Sequence, residues 1–149
     1  MSASISSGHP IRDYLEIPYK WDGRGFDGVD CYGLIVLWFK DQLGIDLFDM
    51  QGVCSSHQQA AARAILQDNT ENEWVRIPLE EIKRHDCLLI KTSPDAHVAN
   101  HCGIVQSKYT FLHILEKAGC NISRIDTYRK HIFAAYRYKG LIQHESSNL

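Results

Sequence analysis

The chain has 149 residues, of which 44% are hydrophobic and 23% charged, the length and composition of one globular domain and not of a disordered or low-complexity segment. Its 16 basic and 18 acidic residues give a net charge of −2, so no basic field favours non-specific binding to nucleic acid. The longest apolar run, Leu34 to Phe39, has six residues, whereas a membrane-spanning helix needs about 20.

Two features bear on the compartment in which the chain is made. Residues 1–7 have neither the charged segment nor the apolar segment of a secretory signal. The five cysteines are an odd number without a Cys-x-x-Cys pair, which is typical of free thiols in a reducing cytosol. We therefore expect synthesis in a cytoplasm, and we interpret the glycosylation-like triplet Asn121-Ile122-Ser123 as a chance match.

The amino-terminal segment predicts a short helix followed by a loop. Pro10 suits the first turn of a helix, and Pro18 ends that helix after about Ile17. Residues 19–29 contain three glycines within six positions, with aspartates between them. Such a pattern is typical of a structured loop.

Residues 31–43 predict a second helix that is buried nearly all round. Asp30 is placed to cap its start, and Gly44 is placed just beyond its end. The apolar run inside this segment also fits a buried strand, but the signals at both ends favour a helix. A third helix is predicted over about 58–67, where a capping-box pattern precedes an alanine-rich run.

The second half of the chain predicts strands. Runs rich in β-forming residues follow one another at 74–77, 87–92, 101–107, 109–116 and 132–139. Ser107-Lys108 marks a tight turn between two of them. Because the strands arrive consecutively, we predict a single α+β domain in which the amino-terminal helices pack on a mainly antiparallel sheet, with its core over about 9–140.

Cys31 is the candidate nucleophile. It would lie in the first turn of the second helix, where the helix dipole favours a negative charge and lowers the pKa of a thiol. Backbone N–H groups at the same helix start can hold a developing oxyanion. In the alternative interpretation, Cys31 is a small buried hydrophobic residue without chemistry.

Two histidines on neighbouring predicted strands are the candidate bases. His101 begins one strand and His113 lies inside the next, so a hairpin would place them roughly opposite each other on one face of the sheet. Cys31 as nucleophile, His101 as base and His113 as the group that orients it then form a Cys-His-His arrangement. The alternative is that each histidine is a hydrogen-bonded core group.

A zinc site built from His97, His101 and Cys102 is another possible chemistry. The two histidines have i, i+4 spacing, but the segment predicts a loop and a strand, and the usual second cysteine pair is missing. In a strand, Cys102 should also point away from the face of His101. We therefore expect neither a metal nor another cofactor.

Residues 18–34, around Cys31, read Pro-Tyr-Lys-Trp-Asp-Gly-Arg-Gly-Phe-Asp-Gly-Val-Asp-Cys-Tyr-Gly-Leu. This segment resembles the nucleophile motif of the NlpC/p60 family of papain-like cell-wall peptidases, which reads Tyr-x-Trp-Gly-Gly-x-x-x-x-Gly-x-Asp-Cys-Ser-Gly-Leu. Residues 101–105, His-Cys-Gly-Ile-Val, are similar to its His-Val-Gly-Ile-Tyr base strand. Residues 85–90 and 135–138 are similar to two further strands of the family.

The resemblance implies a papain-like fold and a peptidase that cuts peptidoglycan stem peptides, commonly at a γ-D-glutamyl–diamino acid bond. Cys31 would attack the carbonyl carbon. His101 would take the thiol proton and later protonate the leaving amine, and His113 would orient His101. Further contacts to substrate or oxyanion are expected from Tyr19, Trp21, Asp30 and Tyr32, although the first two also fit a role as packing aromatics.

Three positions depart from the family pattern. Tyr32 stands in place of a serine, and Asp22 and His85 each stand in place of a glycine. Tyr32, together with residues 44–50 after the second helix, resembles the tail-tip assembly proteins of long-tailed bacteriophages, of the phage lambda tail protein K type. That subgroup implies tail-tip partners, a place in the virion tail and action in the host cell envelope, without membrane insertion.

Two alternatives remain open at the sequence level. Tyr32 and Asp22 could narrow the cleft, which would suit a catalytically silent or partner-gated component of a tail tip. A Cys–His acyltransferase or deamidase on a related scaffold is the other.

Overall fold

The computed structural model describes residues 8–47, 49, 73–92 and 99–142. Its helical segments are α1 (Ile11–Leu15), α2 (Cys31–Trp38), a π-helical turn (Phe39–Leu43), α3 (Ile125–Tyr128) and two 3₁₀ turns (Leu79–Glu81 and Arg129–His131). Its strands are β1 (Arg24–Gly25), β2 (Gly28–Val29), β3 (Trp74–Ile77), β4 (Cys87–Ile90), β5 (His101–Ser107), β6 (Thr110–Leu115), β7 (Gly119–Arg124) and β8 (Ile132–Tyr138). The helix predicted over 58–67 lies outside the described residues.

The predicted second helix is confirmed, together with both of its end signals. α2 starts at Cys31 because the Asp30 carboxylate accepts a hydrogen bond from the Gly33 N–H at 2.7 Å. The helix continues through the π-helical turn and ends at Gly44, whose φ of 66° is a left-handed conformation that glycine adopts without a Cβ clash. Nearly every side chain of α2 is buried, as the apolar run predicts.

The six longer strands form one antiparallel sheet in the order β3-β8-β4-β5-β6-β7. The five predicted strands are confirmed to within one or two residues at each end. β7 was not predicted. It is an edge strand in which Cys120 alone is buried, and polar side chains occupy three of its six positions, so no apolar run marks it.

The sheet has a core on each face. On one face, α2 packs with Leu34 and Trp38 against sheet residues that include Leu89, Ile104 and Leu112. On the other, a smaller core is closed by α3 and the 3₁₀ turn before β4; it contains Ile82, Leu88, Ile90, Val105, Phe111, Ile125 and Ala135. Within the described ranges, no helix has the length and apolar character needed to cross a membrane.

Two of the departures from the family motif have left-handed backbone conformations. Asp22 has a φ of 61° and His85 a φ of 80°, and they are the non-glycine residues with positive φ in the described part of the chain. Aspartate and histidine tolerate this region better than most residues, and here each is held by hydrogen bonds. The Asp22 N–H donates to Asp30 at 2.8 Å, and the Trp38 indole N–H donates to His85 at 3.0 Å.

Candidate active site

Cys31 lies at the start of α2 and faces a cleft of about 220 Å³. The side chains that line the cleft are Tyr19, Cys31, Thr92, Asn100, His101, Ile114, Leu115 and Glu116. Cys31 itself is 4% exposed, so the cleft gives limited access to a thiol that is otherwise part of the core. This is the position that the helix cap and the glycine-rich loop predict.

The Cys31 thiol lies next to the side chains of both His101 and Cys102, and both affect its pKa. Cys102 and burial raise the pKa of the Cys31 thiol well above its ordinary value, and the opposing effect of His101 is smaller. The expectation of a lowered thiol pKa is therefore wrong for this structure. The reason is that the Cys102 side chain points to the α2 side of the sheet and lies next to the Cys31 thiol there. Cys31 is thus a neutral thiol at rest, beside a base that can take its proton.

His101 and His113 contact each other directly. His101 Nε2 lies 2.9 Å from His113 Nδ1, and both imidazoles are buried. The ring of His113 also packs against Phe111 and Tyr128, at centroid distances of 4.5 and 5.3 Å. The prediction that both histidines share one face of the sheet is confirmed, and the ring nitrogen of His101 left for Cys31 is Nδ1.

The register of β5 and β6 differs from the predicted one. Ile104 pairs with Leu112, so His113 lies beside Gly103 and diagonally from His101. A Cβ on Gly103 would lie 2.7 Å from the Phe111 ring and 3.2 Å from the His113 Cβ. The glycine therefore provides the space in which the His113 imidazole reaches across to His101.

Two residues of β7 extend this line of hydrogen bonds. His113 pairs with Asn121 across the β6–β7 ladder, and His113 Nε2 lies 2.8 Å from Ser123 Oγ. Ser123 in turn donates to Asn121 Oδ1 at 3.1 Å. Burial lowers the pKa of His113 to about 4, so this imidazole is neutral near pH 7. Neither Asn121 nor Ser123 was identified as a site residue from the sequence, because β7 was not predicted. The one signal for them was the polar-apolar-polar triplet Asn121-Ile122-Ser123, which we interpreted as a chance match to a glycosylation site.

Asp30 holds the loop and the helix start and does not face the cleft. It is 1% exposed and accepts hydrogen bonds from the Gly33 and Asp22 N–H groups and from the Arg24 guanidinium, the last at 3.1 Å. The structure thus places Asp30 as a helix cap, not in contact with a substrate. Its oxygens point to backbone and guanidinium donors, which keeps the carboxylate directed away from the thiol.

The three predicted aromatic contacts have different positions. Tyr19 lines the cleft, and burial, with the charges of Asp30, Cys31 and Glu116, raises its pKa to about 12, so the phenol remains a donor. Tyr32 is 1% exposed and lies in the core, because one step along a helix turns a side chain about 100° away from its neighbour. Trp21 is 38% exposed and is not among the residues that line the cleft.

The remaining walls of the cleft give it a polar, an apolar and an acidic side. Thr92 and Asn100 hold each other through reciprocal hydrogen bonds of 2.9 and 2.8 Å. Ile114 and Leu115 form the apolar wall. Glu116 carries the one carboxylate among these lining residues. Sequence reasoning identified none of these five.

No group of three or more His, Cys, Asp or Glu side chains in the described ranges is arranged to hold a metal ion. His97, one ligand of the zinc alternative, lies outside those ranges. His101 and Cys102 point to opposite faces of the sheet, with Cys102 in the α2 core. The arrangement is therefore suited to proton transfer between a thiol and two imidazoles.

Comparison with known proteins identifies this architecture. The family model described as NlpC/P60 family matches residues 16–137. A solved NlpC/P60 family protein from Bacillus cereus aligns with a TM-score of 0.62 at 20% identity, over 84% of this chain and 36% of that one. NlpC2 from Trichomonas vaginalis aligns with a TM-score of 0.62 at 19% identity, over 86% and 44%.

The NlpC/p60 domain of the peptidoglycan hydrolase SagA gives a TM-score of 0.56 at 16% identity, over 85% of this chain and 91% of that domain. This chain thus spans less than half of the Bacillus cereus and Trichomonas vaginalis proteins. No curated protein matches it. Because the family model covers most of the sequence and these structures share its fold, the chain belongs to the NlpC/P60 family.

Proposed function

We propose that this protein is a cysteine peptidase that hydrolyses peptide or isopeptide bonds in peptidoglycan stem peptides. The observation that carries the proposal is that Cys31 and His101 line the same cleft, with His101 hydrogen-bonded to His113 behind it. Family membership supports it, and one solved member is described as a peptidoglycan hydrolase. We further propose the γ-D-glutamyl–diamino acid bond as the bond that is cut.

The first half of the reaction forms an acyl-enzyme. Because burial and Cys102 keep the thiol protonated, His101 takes the proton through Nδ1 as Cys31 Sγ attacks the carbonyl carbon. The oxyanion forms beside the start of α2, where the Cys31 N–H and the Tyr19 hydroxyl are the proposed donors. His113, neutral and buried, accepts the Nε2–H of the imidazolium that results.

The second half returns the proton and releases the acid. The imidazolium of His101 protonates the leaving amine, and the thioester of Cys31 remains. His101 then takes a proton from water, which attacks the thioester and regenerates the thiol. The limited opening of the cleft suits an extended, thin substrate such as a stem peptide.

A peptidoglycan digest read by mass spectrometry tests the proposal. Wild type and Cys31→Ala are incubated with walls that contain diaminopimelate stems and with walls that contain lysine stems. New stem-peptide fragments from the wild type alone are expected, and their masses identify the bond. Transfer to an added amine would indicate acyl transfer, and no fragments from any wall across the pH range would refute the peptidase.

We also propose that the peptidase belongs to a phage tail tip, made in host cytoplasm and acting in the cell envelope with tail-tip partners. The support is the sequence resemblance around Tyr32 and residues 44–50. The alternative of a silent or partner-gated component rested on Tyr32 and Asp22. Tyr32 lies in the core, and neither residue is among the side chains that line the cleft. Mass spectrometry of purified tailed virions should detect the chain, and its absence from them would refute this placement.

A further inference from the structure

We propose that Asn121 and Ser123, here called the β7 pair, are positioning residues that fix the direction of the hydrogen bonds leading to Cys31. In this arrangement the β7 pair selects the tautomer of His113, and His113 selects the tautomer of His101. As a result, His101 Nδ1 is unprotonated and faces the Cys31 thiol. The inference deepens the proposed function, since it concerns the base of that reaction.

The direction of the hydrogen bonds is fixed first by the orientation of the Asn121 side-chain amide. Asn121 Nδ2 lies 3.2 Å from the Gly119 carbonyl oxygen. A carbonyl oxygen only accepts, so this position must hold the NH₂ group of the amide. Asn121 Oδ1 therefore faces Ser123.

The hydroxyl of Ser123 links Asn121 to His113 and determines which nitrogen of His113 carries the proton. Its Oγ lies 3.1 Å from Asn121 Oδ1, which only accepts, so the single hydroxyl proton of Ser123 is used there. The contact of 2.8 Å between Ser123 Oγ and His113 Nε2 then requires the proton to be on Nε2. His113 therefore donates a hydrogen bond to Ser123.

The tautomer of His113 determines that of His101. A neutral imidazole with its proton on Nε2 has a bare Nδ1, which accepts a hydrogen bond. His101 Nε2 lies 2.9 Å from that atom and so carries the proton. Burial supports this by keeping His113 neutral. The remaining nitrogen of His101, Nδ1, is left bare for the Cys31 proton.

Hydrogen bonds in the opposite direction would prevent His101 from accepting the Cys31 proton. With the proton on His113 Nδ1, His101 would carry its own proton on Nδ1 and present a donor to the thiol. Ser123 Oγ would also donate to His113. Ser123 Oγ and Asn121 Oδ1 would then lie 3.1 Å apart without a hydrogen between them. Burial helps to raise the pKa of the Cys31 and Cys102 thiols, so both are neutral near pH 7. The other titratable groups near the two imidazoles are Tyr128 beside His113, and Tyr19 and Glu116 in the cleft with His101.

The test is NMR of the full chain labelled with ¹⁵N in the histidine rings, followed over pH. In the wild type, the proton of both His101 and His113 should be on Nε2 near pH 7. Ser123→Ala removes the acceptor for His113, so that residue should lose its single tautomer. Ser123→Thr keeps a hydroxyl and should restore it. Asn121→Ala removes the acceptor of the Ser123 hydroxyl, which can then donate to His113, so it should also abolish the single Nε2 tautomer; it is the second variant should Ser123→Ala not fold.

Alkylation of Cys31 by iodoacetamide, located by peptide mapping, reports whether the base works. Ser123→Ala should slow it about tenfold near pH 7, the size of one lost hydrogen bond. Ile122→Ser, on the same strand at a residue 42% exposed, is the matched control and should stay within about twofold.

Neither readout needs a peptidase substrate, so the two proposals fail separately. A proton on His113 Nδ1 in the wild type would overturn the inference, whatever the result of the wall digest. Unchanged tautomers together with an unchanged alkylation profile in Ser123→Ala would also overturn it. The expected tautomers in a chain that cuts no wall would refute the proposed function and leave the inference in place.

Discussion

Two polar networks meet at the start of α2, and they have different functions. In the first, the Arg24 guanidinium lies between Asp30, Asp49 and Asp22, at distances of 3.1, 3.0 and 3.7 Å. The second, here called the neutral network, runs from His101 through the neutral His113 to the uncharged side chains of the β7 pair, with its hydrogen bonds in one direction. The charged network positions the backbone of the nucleophile, whereas the neutral network controls where a proton lies.

Removal of His101 tests the neutral network most severely. In His101→Ala, Cys31 has no proton acceptor, so peptide hydrolysis should fall by about a thousandfold or more, because triad members act as a unit. The measurement is the initial rate of stem-peptide release. His9→Ala is the control, since it removes a surface imidazole that pairs with Asp41. A His101→Ala rate within a factor of about ten of wild type would contradict the role of His101 as base.

Removal of Asp30 tests the charged network, and its main effect should be on folding. Asp30→Ala leaves the Gly33 and Asp22 N–H groups without their acceptor and removes one of the carboxylates beside the Arg24 guanidinium, at a cost of about 3 kcal/mol in the free energy of unfolding. Urea unfolding measures that loss. Asp30→Asn keeps a side-chain oxygen for the cap and should lose less. Equal losses in the two variants would show that the cap contributes little.

Acid should destabilise the protein through the neutral network. The pKa of His113 is lowered from 6.5 to about 4 in the folded state, so below pH 6.5 the unfolded chain binds a proton that the folded chain does not. Stability is complete above pH 6.5 and decreases as the pH falls toward 4. His113 should contribute a loss of about 2 kcal/mol between pH 7 and pH 5.

Urea unfolding at the two pH values measures this difference. His113→Gln removes the titrating group and should flatten the dependence. Part of the dependence should remain, because burial also lowers the pKa of His85 and acts in the same direction. A wild-type stability that is equal at both pH values would contradict the burial of a neutral His113.

The smallest expected effect comes from the charge at the mouth of the cleft. Glu116 is the one carboxylate among the lining residues, and it is exposed, so solvent screens it. In wild type, a cationic thiosulfonate should modify Cys31 faster than an anionic one, and Glu116→Gln should reduce this ratio about two- to threefold. Glu80→Gln, a remote surface carboxylate, is the control. An unchanged ratio would show that Glu116 does not influence the charge of the cleft.

The site could be predicted wherever a local pattern places a side chain. Asp30 and Gly44 mark the ends of α2, so Cys31 is placed at a helix start without knowledge of the tertiary structure. Alternation along β5 and β6 places His101 and His113 on one face. These predictions succeed because capping and strand alternation depend on residues that are neighbours in the chain.

The predictions failed where distant segments meet. The side chain of Cys102 raises the pKa of Cys31 only because β5 packs under α2. Tyr32 is a core residue because of the face of α2 that the sheet covers. The β7 pair contacts His113 through the register of an edge strand whose polar residues give no apolar signal.

Local sequence patterns were thus sufficient to predict the helix that carries Cys31, the strands that carry the two histidines, and the family. The protonation of the thiol, the direction of the hydrogen bonds behind His101 and the residues that line the cleft follow from the packing of distant segments. The physical reason is that capping and alternation act over a few residues, whereas pKa values and tautomers depend on contacts between groups far apart in the chain.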